Sequence, residues 1–278
     1  MFNTDYYNSR YFNKLYIDDD LIVKTSTNIE KIKSEYDYYY YLPQSIQRFF
    51  VQPFGYNVKN EIASYKMEFI NHSNLAKLFE TGYVGANSFL KILNKIDTFK
   101  EHKKLFSKEE IFLESKYLVL EKTKNRIKNS NAELFNRLEF AFNKYIDLRT
   151  TWNKKISHGD LCFSNIIWIE EIDMLKFVDP RGAKQEDDIF IDEYYDLAKI
   201  SHSIFGGYES IIYNTTINYD HIQNSFYNYL NKHKISIELL KVYEASLFLS
   251  MTPLHIDKPE NVKQFLDKCD KILKEIGC

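Results

Sequence analysis

A chain of 278 residues, 44% hydrophobic and 16% aromatic, is too apolar to remain disordered and long enough to bury one large core or two smaller ones. Its formal net charge is -2 with no long basic run, which argues against nucleic acid or an anionic membrane as partner, and no uncharged apolar run approaches the ~18 residues of a membrane-spanning helix. Cys162, Cys269 and Cys278 lack metal-ligand spacing and the N-terminus shows no basic-then-apolar leader, so the sequence reads as a cytoplasmic protein acting on a small molecule.

Taken from the N-terminus, residues 14–24 (Lys-Leu-Tyr-Ile-Asp-Asp-Asp-Leu-Ile-Val-Lys) predict two short strands joined at Asp18 to Asp20, with Lys24 ending the second. Thr27-x-x-Glu30 is a capping-box pattern, and Ile29, Ile32, Tyr36 and Tyr39 recur at helical spacing until Leu42-Pro43 stops the helix. Glu35 falls on that apolar face, where an inward carboxylate needs a partner, and Lys24 on the preceding strand is the candidate. A strand lysine tied to a helix glutamate presents an ammonium to the α- and β-phosphates of a nucleotide. The alternative is a strand-end lysine and a glutamate that reaches solvent at the edge of the stripe. No glycine precedes Gly55, so a glycine-rich phosphate loop is missing, and Asn8-Ser9-Arg10 stands as its substitute. Phe49 to Tyr56 and Ile62 to Ile70 read as further strands around Asn57 to Asn60.

From Ser73 to Arg149 the apolar spacing turns helical, through Leu75, Leu78 and Phe79, then Phe89, Ile92, Leu93 and Ile96, then Leu134, Leu138, Phe142 and Tyr145. That change sets a boundary between an N-terminal lobe, 1–72, and a C-terminal lobe, 73–278. Ser107-x-x-Glu110 opens a helix containing Tyr117, and the cluster Lys122, Lys124, Arg126 and Lys128 after it reads as a solvated helix end.

The chemistry concentrates between Ile156 and Gly182. Asp160 follows His158-Gly159 and precedes Asn165 by five positions, the spacing of a catalytic loop whose Asp accepts a hydroxyl proton and whose Asn holds a metal. Ile166 to Ile169, polar Glu170 to Asp173 and Met174 to Val178 read as a β-hairpin centred near Ile172, a register that sets Asn165 opposite Asp179 so that one divalent ion touches both. Two plain turns, His-Gly-Asp and Asp-Pro-Arg-Gly, are the alternative. Downstream, Asp187, Asp188, Asp192 and Glu193 form an acidic stretch that reads as a solvated loop, with selection of a cationic amine as the alternative, and a helix from about Glu193 to Phe205 is ended by Gly206-Gly207. Helices at about 220–232, 236–250 and 260–276 follow, with His255 and Asp257 between the last two as candidate substrate-wall residues.

These motifs resemble the aminoglycoside phosphotransferase and choline kinase superfamily, distant relatives of protein kinases, which carry a His-Gly-Asp-x-x-x-x-Asn loop followed by a strand ending in Ile-Asp or Val-Asp. The resemblance implies an α+β, two-lobed kinase-like fold, with a small sheet and one helix before a larger helical lobe. It implies ATP and Mg²⁺ as cofactors, Asp160 as catalytic base, and Asn165 and Asp179 as Mg²⁺ ligands. It also implies Lys24, held by Glu35, on the phosphates, a hinge at Glu68, Phe69 and Ile70 whose backbone meets adenine, and Asp196 bonded to the backbone of the catalytic loop. Asp-Pro-Arg-Gly, with Tyr195-Asp196-Leu197-Ala198-Lys199 downstream, is most similar to a branch found among bacterial capsule and surface-polysaccharide genes. The expected function is transfer of the γ-phosphate of ATP to a hydroxyl of a small metabolite such as an amino alcohol or a sugar. The alternative, suggested by the missing glycine loop, is a kinase-like nucleotide-binding module without turnover. A protein kinase is disfavoured because the loop reads His-Gly-Asp and no Ala-Pro-Glu segment follows.

Overall fold

The structure is a computed structural model that describes residues 13–128 and 130–278; the Asn8-Ser9-Arg10 segment lies outside the described residues. Two compact units divide the chain, one of residues up to Ser73 together with Asn165–Ile189, the other of Asn74–Ser164 together with Phe190–Cys278.

In the first unit, strands β1 (Asn13–Asp18), β2 (Leu21–Ser26), β3 (Pro53–Lys59) and β4 (Ile62–Glu68) form an antiparallel sheet in the order β1-β2-β4-β3. Each hairpin turns on two residues, Asp19-Asp20 and Asn60-Glu61, and three of these four take positive φ. Such backbone matches the twist of the strands it joins. Strand β2 runs on to Ser26, so Lys24 sits within it, opposite Tyr65 of β4. Ala63, Tyr65 and Met67 of β4 are buried at the two-residue period of a strand with one covered face. The helix Ile29–Tyr41 turns Ile32, Glu35, Tyr38 and Tyr39 inward. It starts one residue later than the capping-box pattern suggests: Asn28, not Thr27, is the cap, and its side chain accepts from the Lys31 N–H.

Phe49 to Val51 do not extend β3. They clip instead onto Phe177, whose N–H donates to the Phe49 carbonyl at 2.6 Å while Val51 N–H donates back to the Phe177 carbonyl at 3.2 Å. The predicted hairpin forms, pairing Ile169 with Met174 and Ile166 with Phe177. Its loop is Glu170–Asp173, with Asp173 left-handed at φ 50°. A four-residue loop centres the hairpin between two residues and not on one, so the register differs by one from the sequence reading. Val178 is what Asn165 meets, its N–H donating to the Asn165 carbonyl at 3.1 Å, and Asp179 is one position beyond.

The second unit is mainly helical, with one small sheet of Lys103–Lys104, Lys154–Ile156 and Phe190–Asp192. Ser107 and Glu110 form both halves of their capping box, but the helix Lys108–Lys116 passes into a π-helical turn, Tyr117–Glu121, which Tyr117 opens. The helices Glu193–Ile204 and Ile237–Met251 lie at the centre, the first buried at every position. The acidic stretch before them is not uniformly solvated. Asp187 is exposed and Asp188 half-buried, accepting from the Lys184 and Gln185 N–H groups, whereas Asp192 is fully buried and Glu193 nearly so. Asp192 caps the helix through the Tyr194 N–H and receives Arg149 on both carboxylate oxygens, so an arginine from a distant segment converts a charged run into core.

Candidate active site

Two carboxylates of the first unit converge on Lys24. Its Nζ lies 2.6 Å from Glu35 Oε2 and is also paired with Asp179 Oδ1, and Lys31 approaches Glu35 Oε1 at 3.3 Å. Lys24 and Glu35 have side chains only 5% and 2% exposed, while Asp179 is 49% exposed. Burial pushes the Glu35 carboxyl above its ordinary range, with Lys24 offsetting part of that. Burial alone would lower the Lys24 ammonium, but Asp179 and Glu35 outweigh it and hold it as a cation well above the usual lysine range.

Local backbone aims Asp179 at this cluster. It takes a left-handed φ of 58°, which an aspartate tolerates better than most residues. Three residues on, Gly182 has φ 93°, and a Cβ there would lie 2.7 Å from Ser34 Oγ and 2.9 Å from the Ser34 carbonyl carbon. Only glycine lets the chain pass so close to the helix beside Glu35, where Ala183 N–H then donates to the Ser34 carbonyl at 2.9 Å.

In the second unit the loop at Asp160 is held from the helix Glu193–Ile204. Asp196 accepts from the His158 N–H at 3.0 Å and the Gly159 N–H at 2.9 Å, and pairs with Lys100 at 2.8 Å. Burial by itself would raise the Asp196 carboxyl, but Lys100 brings it below the usual aspartate range. His158 Nδ1 accepts from the Asp160 N–H at 3.2 Å, and Gly159 takes φ 76°. Further along, Ser203 Oγ accepts from Phe163 N–H and Glu209 Oε1 accepts from Ser164 N–H and Ser203 Oγ. Burial pushes the Glu209 carboxyl up to about 7.

Asp160 itself is paired with Lys199, whose Nζ lies 2.7 Å from Asp160 Oδ1. In the sequence Lys199 stands only as the last residue of the string Tyr195-Asp196-Leu197-Ala198-Lys199. The available signal was a lysine between Leu197-Ala198 and Ile200, three positions after Asp196 and so on the face that Asp196 turns to the loop.

Asn165 and Asp179, both at the open end of the hairpin, offer an amide and a carboxylate oxygen, the donor chemistry of a hard divalent cation. Among the described residues no three His, Cys, Asp or Glu gather into a metal cage. Two protein oxygens suit Mg²⁺, which keeps waters and takes its remaining ligands from substrate phosphates.

No family model and no curated protein sequence matches the chain. Solved structures do. A thermostable mutant of aminoglycoside phosphotransferase APH(4)-Ia superposes with a TM-score of 0.62 at 10% identity, over 99% of this chain and 98% of that one. Choline kinase LicA from Streptococcus pneumoniae gives 0.59 at 16% identity, over 95% and 90%. A putative fructosamine-3-kinase from Haemophilus somnus gives 0.58 at 13% identity, over 97% and 95%. The chain has the fold of aminoglycoside phosphotransferases and choline kinases. At such identities the likeness concerns the fold, and any chemistry has to come from the side chains.

The segment expected to meet adenine in this kinase-like fold is partly committed to the fold itself. Glu68 N–H donates to the Gln52 carbonyl at 2.8 Å, and Glu68 Oε2 accepts from the Gln52 N–H at 3.1 Å and lies 3.6 Å from Lys176 Nζ. Phe69 and Ile70 are half-buried, and the Ile70 carbonyl accepts from the His72 N–H at 2.7 Å. His255 packs its ring edge-on to Phe265 at 5.2 Å, and Asp257 is exposed.

Proposed function

We propose that this chain is an ATP- and Mg²⁺-dependent small-molecule kinase that phosphorylates a hydroxyl. The observation that carries the reading is the Lys24 cluster. A lysine buried to 5% is costly, and a purely structural pair would enclose both of its partners, yet Asp179 stays half-exposed. Lys24 on Glu35 grips the nucleotide phosphates, and the backbone at Glu68 to Ile70 meets the base. Asn165 and Asp179 hold Mg²⁺, which when bound offsets negative charge on the phosphoryl oxygens.

Asp160 orients the acceptor hydroxyl and takes its proton. The acceptor oxygen bonds to the γ-phosphorus as the bond from that phosphorus to the β–γ bridging oxygen breaks, and ADP leaves. A structure of similar fold is described as a ternary complex with AMP-PNP and hygromycin B, which agrees with a nucleotide and a hydroxylated small molecule as the two substrates. The Asp-Pro-Arg-Gly string resembles a branch found among bacterial capsule and surface-polysaccharide genes, which supports a role in surface-polysaccharide decoration, with an amino alcohol, a sugar or a related metabolite as acceptor.

A coupled ADP-release screen against hydroxylated metabolites tests this directly. The expected result is turnover on at least one acceptor, and in Asp160→Asn a loss of about 10²- to 10⁴-fold in rate with Mg-ATP binding kept. Mg-ATP binding with no turnover on any acceptor makes the chain a nucleotide-binding module. Undiminished turnover in Asp160→Asn removes that residue from the chemistry.

A further inference from the structure

Every residue of the helix Glu193–Ile204 is buried, and two of its charged side chains face the Asp160 loop. Asp196 and Lys199 are three positions apart and so share a face of the helix. Asp196 takes the backbone N–H groups of His158 and Gly159, and Lys199 takes the side chain of Asp160 at 2.7 Å. One rigid element therefore holds the loop by its backbone and its reactive carboxylate by a charge. The Asp160 side chain is 37% exposed against 11% for Lys199, so the anion reaches outward while its counter-cation stays inside.

Among the described groups packed around this pair, Lys199 is the cation in salt-bridge contact with the Asp160 carboxylate, and His158 lies beside it with Nδ1 on the Asp160 N–H. Burial pushes the Cys162 thiol up and the His202 imidazole, one turn along the helix, far down, so both are neutral near pH 7. Burial likewise pushes the Glu209 carboxyl up to about 7, and where it is ionised it is an anion, not a competing cation. Tyr195 is engaged by Lys122 through its hydroxyl. Burial opposes a charge on Lys199 too, but Asp160 and then Tyr195 outweigh it and hold the ammonium above the usual lysine range.

We infer that Lys199 is a positioning residue for the phosphoryl transfer: it fixes the Asp160 carboxylate in one orientation and keeps it ionised, and thereby sets the acidic limit of activity. This rests on Asp160 being the base, as proposed above. A lysine acting on the phosphoryl group instead, or one serving only the fold, leaves that acidic limit where it is.

Lys199→Met keeps length and removes charge; Lys199→Arg keeps charge. In the unliganded full-length protein, carboxyl ¹³C labelling of aspartate, with the Asp160 signal assigned through Asp160→Asn, reads the pair without ATP or acceptor. The midpoint of that signal is expected to move up by about 1 to 3 pH units in Lys199→Met, the size of losing an adjacent opposite charge, and to stay in place in Lys199→Arg. With an accepted hydroxyl substrate, the acidic limb of kcat should move by the same amount while KM for ATP stays within about twofold, so the rate falls about tenfold per unit on that limb. An unmoved midpoint in Lys199→Met overturns the inference, as does a kcat lowered equally at every pH. Absence of turnover in the wild type counts against the kinase reading alone, because the labelling experiment still decides the Lys199–Asp160 pair.

Discussion

Each unit contains a buried ion-pair cluster, and the two end differently. In the second unit, Arg149 and Asp192 have fully buried side chains; both guanidinium–carboxylate contacts are 2.7 Å, and Ser115, Tyr243 and the Tyr194 N–H complete the carboxylate's shell. Arg149 overcomes the upward push of burial and holds the Asp192 carboxyl below its usual range. In the first unit, Lys24 and Glu35 are as deeply buried, but the cluster finishes in the half-exposed Asp179. A closed cluster has every lone pair and proton committed, so it can only hold the fold. An open-ended one keeps a charged group at the surface that is able to exchange its protein partner for a ligand.

The largest expected effect breaks the closed cluster. Asp192→Ala leaves Arg149 buried without its anion and should cost about 3 to 5 kcal/mol of stability by urea unfolding. A cost under about 1 kcal/mol would mean that the Arg149–Asp192 pair does not organise the second unit.

Next come buried carboxyls that form no ion pair among the described residues. Glu209 and Glu244 hydrogen-bond to Ser203 and Ser201 respectively, and burial pushes each up to about 7 from an ordinary 4.5. The folded state thus holds these protons more tightly than the unfolded chain. Their favourable contribution is complete below pH 4.5, is lost as pH rises towards 7, and changes no further above that. Glu209→Gln and Glu244→Gln should each leave stability near wild type at pH 4.5 and raise it at pH 8 by at most about 3 kcal/mol. Thermal unfolding at the two pH values checks this, and equal effects at both would contradict the assignment.

The smallest stability effect belongs to the open end. Asp179→Asn should change stability by less than about 1 kcal/mol, since the lost pair is half in water. Its consequence lies elsewhere: Asp179→Asn and Asn165→Ala should both raise the Mg²⁺ concentration giving half activity at saturating ATP. An unchanged Mg²⁺ midpoint in both variants would separate the hairpin end from the metal.

Much of this was legible in the chain itself. Strand pairs, the stop at Leu42-Pro43, the Ser107 capping box and the inward-facing Glu35 follow from spacing and from preferences acting within a few residues. The kinase-like fold followed from the resemblance that the His-Gly-Asp-x-x-x-x-Asn string carries to a known superfamily. Other features depended on groups brought together by folding. The hairpin register turned on a four-residue loop closed by left-handed Asp173, a choice between neighbouring backbone states of similar cost.

Asp192 reads as solvated because its neighbours Asp187 and Asp188 are acidic, and only the return of Arg149 makes its burial tolerable. Lys199 takes no role from the sequence, and only the fold brings it within 2.7 Å of Asp160. The sequence by itself determined most of the elements and the turn at Asp160, because hydrogen bonding and apolar periodicity are settled by near neighbours. Only the tertiary structure decided which charges are buried, and with whom, because the cost of burying a charge depends on partners that the chain delivers from far along its length.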